Sequence, residues 1–179
     1  PVTAADREAE EVLLAALARI APGVPVVAEE AVSAGDDPDA GGCFFLVDPL
    51  DGTRDFVSGS DTYTVNVGLV MDGRPVFGMV TVPALDEIYV TLGQGEAAMG
   101  RISDCQRDGA ISLAKLAPIR TRAPAADGLV ALRSPWRPMA GLEDMLADVH
   151  VKEWKLGGSS WKLCRVACGG ADVYPQGGA

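Results

Sequence analysis

The stretch 44-FFLVDPLDGTRDFV-57 is an apolar run that ends at two aspartates, Asp48 and Asp51. Its length and its β-rich composition predict a strand, and its continuous apolar character predicts burial on both faces. Pro49 and Gly52 favour a tight turn around the two carboxylates. Either these residues form an ordinary surface turn, or they hold something positively charged.

The segments on either side of this stretch predict a helix packed on a largely antiparallel, mixed sheet. Residues 3–21 have the apolar spacing of an amphipathic helix, with Thr3 as its N-cap. Residues 24–30 form a short β-branched run that ends in two glutamates. Residues 62–83 predict two strands joined by Asp72-Gly73, a strong hairpin signal.

After Pro118 the pattern changes to alternating strands and helices, which is typical of an α/β domain. We therefore predict an N-terminal α+β domain over 1–118, which carries the candidate metal site, and a C-terminal α/β domain over 119–179. The elements predicted in the second domain are a strand at 127–135, a helix at 139–149, a strand at 151–158, a helix at 159–171 capped by Ser159 or Ser160, and a strand at 171–175.

Charge and composition exclude several classes of protein. Twenty-five acidic and fifteen basic residues give a net charge of −10, so a nucleic-acid polymer is not expected as a partner. A phosphorylated small molecule remains compatible if bound divalent cations reverse the local field.

The four cysteines contain no C-x-x-C pair and are predicted to be reduced thiols. No apolar run is long enough for a transmembrane segment, so the predicted location is cytoplasmic.

The carboxylates of the opening stretch have the chemistry of a magnesium site. Mg²⁺ prefers oxygen ligands, usually a few carboxylates together with water and substrate phosphate. In a tight turn Asp48 and Asp51 can converge on one point, with the carbonyl of Leu50 as a further oxygen. If strand 24–30 lies beside this one, Glu29 joins them at the same edge of the sheet. The alternative is a solvated acidic turn, because D-x-x-D-G is common in turns.

Thr53 and Asp6 could supply the proton transfer that such a site needs. A hydroxyl that is hydrogen-bonded to a carboxylate can take the proton of a water whose pKa a metal has lowered. For Asp6 the alternative is stabilisation of the first helical turn. The backbone amides of Gly52 and Thr53 would point out of the turn, where they could hold a phosphate.

With these residues assembled, the chain resembles the inositol monophosphatase superfamily of Mg²⁺-dependent, lithium-sensitive phosphatases. The resemblance implies an αβαβα layered sandwich of the sugar-phosphatase type, with the site in the cleft between the two domains. The segments that carry it follow one another in the family's order and are 1-PVTAADREAE-10, 27-VAEEAVSAG-35, 46-LVDPLDGTRDF-56 and 157-GGSSWKLCRVACGGADVYP-175.

The resemblance also implies roles for individual residues. Two or three Mg²⁺ ions would be bound, with Asp48 bridging two of them. The implied metal ligands are Glu29, Asp48, Asp51 and the Leu50 carbonyl. Thr53 and Asp6 would activate the attacking water, which completes a catalytic set of Asp6, Glu29, Asp48 and Thr53. The amides of Gly52 and Thr53 would hold the phosphate.

Within the superfamily, "DPLDGTRDF" and "TYTVNVGLV" are most similar to the 3′(2′),5′-bisphosphate nucleotidases. That branch implies hydrolysis of 3′-phosphoadenosine 5′-phosphate to AMP and phosphate, with Ser159, Ser160 and Lys162 beside the non-reacting phosphate. The alternatives are N-capping for the serines and a solvent-facing charge for Lys162. At the level of function, the alternatives are an inositol-1-phosphate or other sugar-phosphate phosphatase, and a non-catalytic acidic metal-binding module.

Two departures from the family pattern concern the C-terminal end. Gln176 stands where nucleotidase relatives usually carry an arginine. The family's third metal aspartate belongs to a W-D-x-A-A-G motif, whereas neither Trp154 nor Trp161 precedes an aspartate. We therefore expect the chain to be truncated within its C-terminal domain. Family analogy implies a monomer or a homodimer.

Overall fold

A computed structural model describes residues 2–36, 38–93, 95–107, 110–137 and 141–176. Its helices are α1 Ala4–Ile20, α2 Glu29–Ser33, α3 Thr53–Val57, α4 Ile102–Cys105, α5 Leu142–Met145 and α6 Trp161–Ala167. Its strands are β1 Val26–Ala28, β2 Cys43–Asp51, β3 Thr64–Met71, β4 Arg74–Val82, β5 Glu87–Gly93, β6 Glu96–Arg101, β7 Gln106–Arg107, β8 Ala110–Ile111, β9 Ala117–Ile119, β10 Leu129–Arg133 and β11 Val151–Leu156.

The main sheet has seven strands in the order β1-β2-β3-β4-β5-β6-β9. Strands β1 and β2 are parallel, and the other neighbours are antiparallel. Asp72 and Gly73 join β3 to β4 with φ angles of 51° and 72°, which suits the two-residue turn of a β-hairpin. The predicted helix followed by a mixed, largely antiparallel sheet is confirmed.

Helices cover both faces of this sheet. On one face, Leu17 of α1 packs against Phe45 and Val47 of β2. On the opposite face, Cys164 of α6 packs against Val82 and Tyr89. The result is a helix–sheet–helix layering. Among the described residues, no helix is both long enough and apolar enough to cross a membrane.

The prediction that β2 is buried on both faces is wrong. Phe45 and Val47 are 8% and 4% exposed, whereas Leu46 between them is 46% exposed. Successive side chains of a strand point to opposite faces, and α1 covers only the face that carries Phe45 and Val47. Since α6 packs over β4 and β5, it does not cover Leu46 on the other face of β2.

The second half of the chain contains a separate parallel pair, β10 and β11. The predicted helix at 139–149 is realised only as the four residues of α5, and residues 138–140 lie outside the described part. The predicted strand at 171–175 is an isolated parallel bridge between Val173 and Ala131. The main sheet ends at Ile119 and the next sheet begins at Leu129, and a domain division at 118/119 stays a prediction.

The four cysteines are free thiols, as predicted. Cys164 lies inside α6, where burial raises the pKa of its thiol to about 12. A thiol with so high a pKa is a poor nucleophile, which supports a packing role for this residue.

Asp172 is a carboxylate outside the candidate site that accepts three hydrogen bonds. Its side chain is 2% exposed. Arg122 donates from Nε to Oδ1 at 2.7 Å and from Nη2 to Oδ2 at 2.9 Å, and the amide of Val130 donates to Oδ2 at 2.7 Å. These hydrogen bonds, that of Arg122 above all, lower the pKa of Asp172 to about 2.

This carboxylate should make stability depend on pH in the acid range. In the unfolded chain an aspartate has a pKa of about 3.9, so the unfolded state takes up the proton first. The free energy of unfolding should therefore decrease as the pH falls from about 4 to about 2. Asp172→Asn should lower it by about 2 kcal/mol at pH 7 and remove that part of the pH dependence. Urea unfolding at pH 7 and pH 3 measures both, with the exposed Asp148→Asn as the control; a pH dependence unchanged in Asp172→Asn would contradict the assignment.

Candidate active site

Parallel pairing of β1 with β2 brings Glu29 to Asp48. Ala28 lies opposite Val47 in the register, and the C-terminal ends of parallel strands lie at the same edge of a sheet. Glu29 is the first residue of α2, directly after β1. Burial, followed by the charges of Glu29 and Asp51 and a hydrogen bond with Glu29, raises the pKa of Asp48 well above its usual range. The three carboxylates therefore act on one another electrostatically.

A β-bulge brings Asp48 and Asp51 to the same face of β2. Asp48 pairs with Asn66 and Asp51 with Thr64, so three steps along β2 match two steps along β3. Without the extra residue, side chains three positions apart would point to opposite faces. Pro49 lies inside the bulge and has no N–H to leave unpaired. The amide of Leu50 donates to Asp48 Oδ1 at 3.1 Å, which ties the bulge to the carboxylate.

Thr53 and Asp6 are in hydrogen-bond contact although they are 47 positions apart in the chain. Thr53 Oγ1 lies 3.3 Å from Asp6 Oδ1 and also 3.3 Å from the carbonyl oxygen of Leu50. Asp6 is 2% exposed, and its Oδ2 accepts from the amide and the hydroxyl of Thr3 at 2.7 and 2.6 Å. One oxygen of Asp6 therefore stabilises the start of α1 and the other contacts Thr53. A part for Asp6 in activating water stays a prediction.

Gly52 makes the turn between β2 and α3 possible. Its φ of 87° and ψ of 42° are left-handed, a conformation that glycine adopts without steric cost. A Cβ at this position would lie 3.1 Å from the Cβ of Ser159. The turn that follows Asp51 therefore packs closely against the loop that precedes α6.

That loop is hydrogen-bonded to one of the candidate carboxylates, Asp51. The amide of Ser160 donates to Asp51 Oδ2 at 2.6 Å, and the Ser160 hydroxyl donates to Asn66 Oδ1 at 2.7 Å. Ser159 donates its hydroxyl to the carbonyl oxygen of Thr62 and accepts from the amide of Trp161 at 3.3 Å. The two serine hydroxyls thus bind protein groups. Ser160 is the N-cap residue of α6, as one of the two predicted candidates, but its side chain makes no capping hydrogen bond.

Lys162 does not face solvent, which excludes the alternative considered for it. Its side chain is buried, and Nζ donates to the carbonyl oxygen of Ser159 at 2.8 Å. The ammonium also lies 5.0 Å from the ring centroid of Tyr174. Burial lowers the pKa of Lys162, while the charges of Asp51 and Asp55 act in the opposite direction.

The donor set matches Mg²⁺ in kind. Carboxylate and carbonyl oxygens are the ligands this ion prefers. Asp48, Asp51 and the Leu50 carbonyl supply both types on the bulge of β2, and Glu29 follows the neighbouring strand β1. Within the described residues, no group of three or more His, Cys, Asp or Glu side chains forms an assembled metal site. The roles of these carboxylates as metal ligands therefore stay predictions.

Three residues around the site were not singled out by the sequence. Glu10 is buried and accepts from the amide of Glu30 at 3.0 Å, which links α1 to α2. Asp55 is 3% exposed, and its Oδ2 accepts from the indole Nε1 of Trp136 at 3.1 Å. The sequence offered a signal for Glu10 and Asp55, because each lies on a helix that also carries a predicted site residue. It offered none for Trp136, the third residue.

Comparison with known proteins identifies the family. The model of the inositol monophosphatase family matches residues 1–179. The protein therefore belongs to the inositol monophosphatase family, as its motifs predicted. A solved structure of CysQ from Bacteroides thetaiotaomicron, a bacterial member of that family, matches with a TM-score of 0.75 and 33% identity over 96% of this chain and 65% of its own. The layered α/β fold is thereby confirmed.

Curated relatives are also similar along nearly the whole chain. The 3′(2′),5′-bisphosphate nucleotidase CysQ of Shigella flexneri is 32% identical over 98% of this chain and 66% of its own length. A histidinol-phosphatase of Mycobacterium tuberculosis is 32% identical over 98% of this chain and 65% of its own. The chain thus spans slightly less than two thirds of the length of these relatives.

Proposed function

We propose that the protein is a Mg²⁺-dependent phosphomonoesterase that uses water as its nucleophile. The observation that carries this proposal is the contact of Thr53 with Asp6 beside Asp48 and Asp51 on the bulge of β2. A hydroxyl–carboxylate pair next to a set of oxygen donors suits activation of a water. Membership of the inositol monophosphatase family supports it.

The chain's own groups can carry the proton transfer. Bound Mg²⁺ would lower the pKa of a water and offset charge on the phosphoryl group. Thr53 Oγ1 would accept a proton from the attacking water while its own proton passes to Asp6 Oδ1. The water oxygen forms the new bond to phosphorus, and the ester oxygen leaves with the bonding electron pair and is then protonated. No covalent intermediate with the enzyme is required.

The substrate that we propose is 3′-phosphoadenosine 5′-phosphate, with AMP and phosphate as products. The bisphosphate nucleotidase activity of the CysQ relatives and the similarity of "DPLDGTRDF" to the nucleotidase branch support this choice. Inhibition by lithium is expected with it. An inositol or other sugar phosphate remains the rival substrate, because Gln176 stands where nucleotidase relatives usually carry an arginine.

A substrate comparison tests the proposal. Phosphate release by the purified protein is measured with 3′-phosphoadenosine 5′-phosphate, inositol 1-phosphate and histidinol phosphate, each with Mg²⁺ and with added Li⁺. We expect the highest kcat/KM for the bisphosphate. Preference for another ester would overturn the substrate, and Mg²⁺ binding without release from any ester would favour a non-catalytic metal-binding module.

A further inference from the structure

The peptide group between Ser159 and Ser160 is held at both ends by charged side chains. On one side, Lys162 Nζ donates to the Ser159 carbonyl oxygen at 2.8 Å. On the other, the Ser160 amide donates to Asp51 Oδ2 at 2.6 Å. The positive charge thus lies at the carbonyl end and the negative charge at the N–H end, which is the favourable alignment for the peptide dipole.

This arrangement requires an unusual backbone and a buried charge. Ser159 has a φ of 47°, in the left-handed region that non-glycine residues seldom adopt. Lys162 is 4% exposed, and burying an ammonium is unfavourable unless it is well bonded. Among the described residues, no carboxylate lies within salt-bridge distance of its Nζ. Its ammonium is bonded to the Ser159 carbonyl oxygen and lies over the ring of Tyr174.

The group that this peptide orients is the carboxylate of Asp51. The amide of Ser160 binds Oδ2, and the hydroxyl of Thr64 approaches the same oxygen at 3.4 Å. None of the residues that the structure describes donates a hydrogen bond to Oδ1 of Asp51. One oxygen is therefore held by the protein while the other is left for a ligand. A partner that orients a metal-binding carboxylate in this way raises metal affinity.

We propose that Lys162 is a positioning residue that acts through the Ser159–Ser160 peptide to orient Asp51 for cation binding. The inference rests on the proposed function, since it takes Asp51 as a Mg²⁺ ligand. It differs from a role beside a second substrate phosphate, because Nζ is buried and already bonded to the backbone. Lys162 would therefore affect Mg²⁺ affinity before any substrate is bound.

Three variants separate these roles. Lys162→Met keeps the length of the side chain and removes the donor, whereas Lys162→Gln keeps a donor and removes the charge. Lys155→Met is the matched control, because Lys155 is a lysine on β11 whose side chain is 46% exposed. The dissociation constant of Mg²⁺ is measured calorimetrically on the purified full chain without substrate. The backbone amide of Ser160 is followed by NMR in the absence of metal.

We expect the Mg²⁺ dissociation constant to rise about tenfold in Lys162→Met, to rise less in Lys162→Gln, and to stay unchanged in Lys155→Met. The Ser160 amide resonance should move in Lys162→Met even without Mg²⁺. If Lys162→Met does not fold, Lys162→Gln decides the question through the same two measurements. An unchanged dissociation constant in the folded Lys162 variants would overturn the inference.

Kinetics distinguish failure of the inference from failure of the proposed function. If the parent protein hydrolyses the bisphosphate and Lys162→Met raises only its KM, with Mg²⁺ affinity unchanged, Lys162 binds substrate and the inference alone is wrong. If the parent neither binds Mg²⁺ nor releases phosphate, both are wrong. A tenfold loss of Mg²⁺ affinity, together with a lower kcat for bisphosphate and monophosphate alike, supports both.

Discussion

Replacement of Asp48 by asparagine is expected to lower Mg²⁺-dependent hydrolysis by more than about 100-fold. Loss of a residue that only supports a metal ligand already costs about 10- to 100-fold in affinity or activity, and Asp48 is proposed as a ligand itself. The amide oxygen of asparagine can still accept from the Leu50 amide, which now donates to Asp48 Oδ1. The substitution also removes repulsion with Glu29. The fold should therefore survive while Mg²⁺ binding is lost.

The measurements are kcat/KM at saturating Mg²⁺, the Mg²⁺ dissociation constant, and the thermal midpoint of unfolding without metal. Asp148→Asn is the matched control, since Asp148 is exposed and lies outside the site. Undiminished hydrolysis by a folded Asp48→Asn protein would exclude the proposed metal mechanism. Equal losses in both variants would show that the effect does not belong to the site.

The second large effect is expected for Thr53→Val. Valine has nearly the shape of threonine but lacks the hydroxyl that contacts Asp6 Oδ1 at 3.3 Å. Proton transfer by a positioned group contributes about 10²- to 10⁴-fold to catalysis, so we expect kcat to fall by about a thousandfold. Since Thr53 acts through its hydroxyl and is not a proposed ligand, Mg²⁺ affinity should change little.

Thr53→Ser is the control, because serine keeps the hydroxyl and should retain most of the activity. The expected pattern is a large decrease in kcat for valine and a small one for serine, with similar Mg²⁺ dissociation constants for both. If valine and serine gave equal rates, the hydroxyl would have no part in activating water. If valine abolished Mg²⁺ binding, Thr53 would belong to the metal site instead.

Local patterns predicted the N-terminal half of the fold well. The capped amphipathic helix became α1, and the hairpin at Asp72-Gly73 joins β3 to β4. These features depend on neighbours in sequence, namely helical periodicity, an N-cap and a turn with positive φ angles. The predictions for 139–149 and 171–175 were less accurate, because short polar elements are decided by tertiary packing more than by local propensity.

Residue types and spacing also predicted the candidates for the site. They selected Glu29, Asp48 and Asp51 as oxygen ligands and Thr53 as a hydroxyl for proton transfer, and these roles stay predictions. Burial of β2 on both faces was predicted wrongly. An apolar run shows that a strand has apolar side chains, but not which of its faces another element covers.

By itself, the sequence determined the family, the helix α1, the hairpin and the chemical types of the candidate ligands, since each follows from a contiguous motif. Only the tertiary structure decided that a bulge at Pro49 turns Asp48 and Asp51 to one face, and that Lys162 is buried against the Ser159 carbonyl. The physical reason is that strand register and the surroundings of a charge depend on residues far away in the chain. Asp51 and Lys162 lie on opposite sides of one peptide group although they are 111 positions apart in the sequence.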